Sequence, residues 1–170
     1  MSAITETGIR VFTDAVKHFF SQMSEEQIVV DAAFLATDGK PACYDYTGLI
    51  AVSGEFRGCV YFSAPRVMLR HLLVSMGEMD HREENLLDLV GEVANTFSGN
   101  AREQFGPAFA ISVPVAVKGK PDRLQDPQQP DPRDSAPFVI SVRWKSYSAA
   151  VVVCVDGNHK HVHPVPSVRQ

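Results

Sequence analysis

Basic residues do not cluster anywhere in this chain. Sixteen Lys and Arg stand against 20 Asp and Glu over 170 residues, for a net charge of −4. Binding nucleic acid without sequence preference needs a concentrated basic surface that neutralises many phosphates together, so nucleic acid is excluded as a partner. Cysteine is also scarce: Cys43, Cys59 and Cys154 are odd in number, far apart along the chain and never in a CxxC spacing. A disulfide framework, a zinc motif and a dithiol redox motif are thereby excluded, and a reducing cytoplasm is the expected compartment. No apolar run reaches the roughly 20 residues that span a bilayer. The start, Met1-Ser2-Ala3-Ile4-Thr5-Glu6, lacks the positive flank and apolar core of an export signal. The expectation is a soluble protein with no membrane partner.

What is present suffices for one domain that folds without metal or disulfide. The chain is 45% hydrophobic and 21% charged, and at this length about 70% of the surface of the unfolded form can be buried. From Ile4 to Met23, apolar residues at Ile9, Phe12, Val16, Phe19 and Phe20 recur every three or four positions, which predicts an amphipathic helix. A β-branched run at Ile28-Val29-Val30 leading to Ala33-Phe34-Leu35 predicts a strand. Thr47 to Ser53 and Arg57 to Ser63 read as a hairpin around Gly54-Glu55-Phe56. Pro65 suits a first helical turn, and Val67, Met68, Leu72 and Leu73 carry a helix on to Gly77. A longer helix is expected from about His81 to Phe105.

Beyond Gly106-Pro107, alternation at Ile111, Val113, Val115 and Val117 predicts a strand, and Phe138 to Lys145 and Ala149 to Asp156 predict two more. Three late strands in succession point to an antiparallel sheet. The proline-rich, almost wholly polar stretch 120–137 reads as a mobile loop within the domain. Residues 1–156 are therefore expected to form a single α+β domain, an antiparallel β-sheet with two long helices packed on one face, and 157–170 a flexible tail.

The long helix is where chemistry is expected. At about 100° per residue, Leu87, Val90, Ala94, Phe97, Ala101 and Phe105 share one side. Asp88, Glu92, Asn95, Gly99 and Arg102 fall on the other. Within that helix a Gly costs about 1 kcal/mol and an Asn up to about 0.7 kcal/mol relative to Ala, so Gly91, Asn95, Gly99 and Asn100 are poor choices for helix stability alone. Missing side chains beside Asn95 would let a partner's backbone approach, or would equally admit a neighbouring helix. Glu92 and Asn95, three residues apart, have Cβ atoms about 5–6 Å apart and can address one group together. Spacing alone is weak evidence, since any solvated helix face can carry such a pair.

The segment Glu92-Val93-Ala94-Asn95-Thr96-Phe97-Ser98-Gly99-Asn100-Ala101 resembles the signature helix of the CheC/CheX phosphatases, a Glu-x-x-Asn followed by a Gly-Asn-Ala step. The similarity extends upstream to the hairpin with Gly54-Glu55-Phe56-Arg57-Gly58 and downstream to Ile111-Ser112-Val113-Pro114-Val115-Ala116-Val117-Lys118-Gly119-Lys120. It implies a CheC/CheX-like fold and hydrolysis of the aspartyl phosphate of a CheY-like response regulator. On that resemblance Asn95 holds the attacking water and Glu92 engages a lysine of the regulator, while Asp88, Gly99 and Arg102 belong to the partner-binding face. The phosphorylated regulator would bring its own Mg²⁺, so no cofactor or metal is expected on this chain. The first helix begins Glu6-Thr7-Gly8-Ile9 and lacks a second Glu/Asn pair, so a single, CheX-like site is implied, with a homodimer joined through sheet edges.

Two other readings stay open. A noncatalytic adaptor would use the same helix face to bind a receiver or flagellar-switch component without hydrolysis. Alternating His159, His161 and His163 would fall on one side of an extended segment in a geometry suited to Zn²⁺ or Ni²⁺, although an incidental polar tail is the simpler reading. Trp144 is expected in the core, Cys59 and Cys154 as inert core residues, and Cys43 in a looser, more exposed region.

Overall fold

The computed structural model describes residues 6–36, 43–121 and 137–157. The chain runs α1 (Glu6–Met23), β1 (Val29–Leu35), β2 (Tyr46–Gly54), β3 (Phe56–Ala64), α2 (Arg66–Ser75), α3 (Glu83–Phe105), β4 (Phe109–Ile111), β5 (Val115–Lys118), β6 (Phe138–Trp144) and β7 (Tyr147–Gly157). The described strands form one antiparallel sheet in the order β1-β6-β7-β3-β2-β4, with β5 also pairing to β2. This is the expected α+β architecture, with α2 as a short third helix. The predicted 120–137 loop and the 157–170 tail lie almost wholly outside the described residues, and the three tail histidines entirely so.

One face of the sheet carries the helices. Phe12, Phe20, Phe62, Phe97 and Trp144 are fully buried between the layers. The ring contacts Phe12–Phe105 and Phe19–Phe97 show that α1 and α3 lie side by side and antiparallel. On the sheet side, β2 meets α3 at Gly48, where the helix backbone lies directly on the strand. The buried arc of α3 is wider than its sequence stripe indicates. Leu86, Leu89 and Val93 are also buried, while Leu87 and Phe105 are only partly so, because the helix packs against both the sheet and α1.

Two local features set the ends of α3. Glu83, in its first turn, bonds to Lys118 Nζ at 2.6 Å and accepts from the Tyr46 hydroxyl at 3.0 Å, tying the helix start to β5 and β2. At the other end the Gly106 N–H donates to the Arg102 carbonyl with Gly106 at φ 83°, a left-handed termination suited to glycine. The helix therefore begins at Glu83 rather than His81, after Arg82 in an extended conformation.

The late strands depart from expectation. The stretch around Ile111 to Val117 is two short strands, so four late strands are present rather than three. Ile111 pairs with Val52 and Val115 with Leu49. Between those pairs β2 advances three residues while the edge chain takes four, which defines a one-residue bulge. A bulge shifts the side-chain phase. Ile111 consequently packs with the helix-side core, whereas Val115 aligns with Leu49 on the opposite face.

That opposite face has its own apolar cluster of Leu49, Cys59, Tyr61, Val139, Val152 and Cys154, with Cys43 and Tyr44 against it. The three cysteines, distant in sequence, thus meet around Tyr61. Burial first, and then the neighbouring thiols of Cys43, Cys154 and Cys59, hold the Tyr61 phenol well above its ordinary pKa. Cys59 and Cys154 are direct cross-strand partners and buried, Cys43 is half-buried, and no disulfide joins them. Trp144 is fully buried, as expected.

Candidate functional site

Asp88, Glu92 and Arg102 are exposed on α3, and Asn95 and Gly99 are half-buried between them. At helical spacing the five residues fall within an arc of about 80° on the side away from the sheet. The helix thus brings together all of the residues that sequence reasoning placed on this face. The side chains of Glu92 and Asn95 make no hydrogen bond or ion pair among the described residues. The nearest polar contact belongs to the backbone, where the Thr96 hydroxyl donates to the Glu92 carbonyl at 2.9 Å. An acid and an amide, adjacent and with their hydrogen-bonding capacity unused, can address an external group jointly.

The two glycines flanking the pair differ in what surrounds them. A β-carbon built on Gly91 would contact Pro114 at 3.5 Å and Ala116 at 3.9 Å, ordinary van der Waals distances. One built on Gly99 would meet nothing within 4 Å. Among the described residues no helix occupies the space at Gly99, so none of the described helices is what this glycine admits. Its cost to the helix, about 1 kcal/mol relative to Ala, has no packing benefit within the fold.

One wall of the site went unread in the sequence. Pro114 lies beside Gly91, one turn before Asn95, and carries the chain from β4 to β5 alongside the polar stripe. A proline inside an alternating run was the available signal, because it cannot donate to a ladder and is confined to edges and bulges. Among the described residues, no group of three or more His, Cys, Asp or Glu is placed to hold a metal ion. No described helix is long and apolar enough to cross a membrane.

The fold is an antiparallel sheet covered on one face by helices, the longest of which, α3, carries Glu92 and Asn95 on its outward side. The comparisons bear on this directly. The family model for chemotaxis phosphatase CheX matches residues 46–142, which contain all of α3. The chain belongs to the CheX family.

Solved structures share the fold at low identity. The CheX protein of Vibrio vulnificus is 19% identical, with a TM-score of 0.71, over 88% of this chain and 99% of its own. A CheC-like superfamily protein from Shewanella sp. PV-4 is 21% identical, with a TM-score of 0.72, over 91% and 100%. The CheX–CheY–BeF3–Mg²⁺ complex of Borrelia burgdorferi contains a chain 15% identical, with a TM-score of 0.65, over 86% and 96%. No curated protein sequence matches the chain.

Proposed function

We propose that this protein hydrolyses the aspartyl phosphate of a CheY-like receiver domain, with Asn95 positioning the water and Glu92 engaging a lysine beside the phosphate. The supporting observation is the open acid–amide pair on α3, free of partners among the described residues. Water attacks phosphorus in line, the acyl-phosphate P–O bond breaks, and inorganic phosphate and the receiver's aspartate carboxylate result. Such a reaction asks a protein mainly for positioning and charge neutralisation. The amide of Asn95 binds water as donor and acceptor without repelling an anion, whereas a carboxylate there would carry like charge. Glu92 contributes a negative charge that a lysine beside the phosphate can meet. Mg²⁺ would come with the receiver, and Asp88, Gly99 and Arg102 would border the contact.

The test is the first-order loss of phosphate from a phosphorylated receiver with and without the protein. Acceleration over the receiver's own rate is expected. Tight binding of phosphorylated receivers with no acceleration would instead assign the face to a noncatalytic adaptor.

A further inference from the structure

We infer that the bulge between β4 and β5 presents Val113 as an apolar contact for the same receiver domain, fixing its position over Glu92 and Asn95; this rests on the function proposed above. Val113 is 80% exposed, more than any other large hydrophobic residue of the described chain. An isolated exposed valine needs no explanation. This one is held in place from both sides.

Before it, the Ser112 N–H donates to the Ala51 carbonyl at 3.0 Å and the Ser112 hydroxyl oxygen accepts from the Ala51 N–H at 2.9 Å. The same hydroxyl donates to the Val113 carbonyl at 2.9 Å. After it, Pro114 has a fixed φ and lies beside Gly91. A loop fixed in this way loses little conformational entropy when a partner covers it, so an apolar contact there retains most of its value.

The bulge supplies the direction. In a regular ladder, Ile111, Val113, Val115 and Val117 would all point to one face of the sheet. The extra residue puts Ile111 on the helix side and Val115 on the other, and leaves Val113 between them at the sheet edge. Bulges beside functional sites commonly re-aim a side chain in this manner.

Continuity with the polar face comes through Pro114. It lies beside Gly91, where an added β-carbon would stand 3.5 Å from it, and Gly91 and Asn95 are one helical turn apart with Cβ positions about 5–6 Å from each other. A receiver seated on Glu92 and Asn95 therefore meets this edge next. The site then combines a charged contact at Glu92, which salt screens, with an apolar contact at Val113, which salt does not weaken.

The experiment measures the affinity of the full chain for a receiver loaded with beryllofluoride and Mg²⁺, together with KM and kcat for the phosphorylated receiver. Val113→Ser is expected to raise Kd and KM about tenfold, as a buried interface anchor does. It should leave kcat and melting temperature unchanged, because the side chain touches neither the reacting atoms nor the core. Val113→Ile should restore affinity. The tenfold loss should persist at high salt, where the effect of Glu92→Gln shrinks. Wild-type binding with Val113→Ser within twofold of it in Kd would overturn the inference while leaving the proposed function standing. Wild type that binds no receiver would overturn both. Binding that weakens in Val113→Ser without any turnover would remove the phosphatase activity and retain Val113 as a contact.

Discussion

Gly48 on β2 lies directly beneath Val90 on α3: a β-carbon at Gly48 would stand 2.1 Å from the Val90 carbonyl oxygen and 2.9 Å from the Gly91 backbone nitrogen. Backbone cannot yield as a flexible side chain does. The close approach fixes the depth at which the helix sits on the sheet, two residues before Glu92. Gly48→Ala is therefore expected to destabilise the fold by about 2 kcal/mol or more, the scale of overpacking in a filled core. Urea unfolding measures this, and a midpoint equal to wild type would show that α3 can lift without cost.

Gly99 makes the opposite case. With open space around it, Gly99→Ala should gain up to about 1 kcal/mol in helix stability, and hence raise the melting temperature by about 2–4 °C for a domain of this size. The added methyl lies one turn beyond Asn95, on the face proposed to meet the receiver, so affinity should fall as stability rises. Calorimetry paired with receiver titration would show whether the two move in opposite directions. Unchanged affinity would remove Gly99 from the contact.

The start of α3 should be sensitive to acid. The bond from Lys118 first, and the Tyr46 hydroxyl second, hold the Glu83 carboxyl below the usual glutamate range. A lowered folded-state pKa stabilises the fold at pH above the unfolded value. That contribution is lost as pH falls through the folded value. Between neutrality and about pH 5 the contribution should be constant, with the loss beginning near the ordinary glutamate pKa of about 4.3. Glu83→Gln should remove this component, flattening the acid limb of a stability profile relative to wild type. Parallel profiles for the two proteins would contradict it.

Much of this was readable from residue order. The hairpin of β2 and β3 follows from apolar and β-branched runs on either side of Gly54-Glu55-Phe56, and α3 from its 3.6-residue stripe. Those signals are local, set by the geometry of a single element. The placement of Glu92 and Asn95 opposite the core also followed from periodicity, while their proposed roles came from resemblance and not from spacing. What could not be read depends on contacts distant in sequence. The bulge at Ser112-Val113-Pro114 is defined by register against β2, and its hydrogen bonds reach 61 residues back to Ala51. The amide of Arg66 at the start of α2 is capped by Asp45, 21 residues upstream, while the adjoining Pro65 offers no side-chain cap. The gathering of Cys43, Cys59 and Cys154 around Tyr61 likewise needs the order β7-β3-β2, which no local pattern contains.

The most direct test of the central claim is the rate of phosphate loss from a phosphorylated receiver saturated with wild type or with Asn95→Ala, alongside the affinity of each for the beryllofluoride-loaded receiver. Water positioning by Asn95 predicts a fall in rate of about a hundredfold, comparable to removing one preorganised polar group from an active site. Affinity should stay near that of wild type. An Asn95→Ala protein that speeds phosphate loss as well as wild type does would contradict the account.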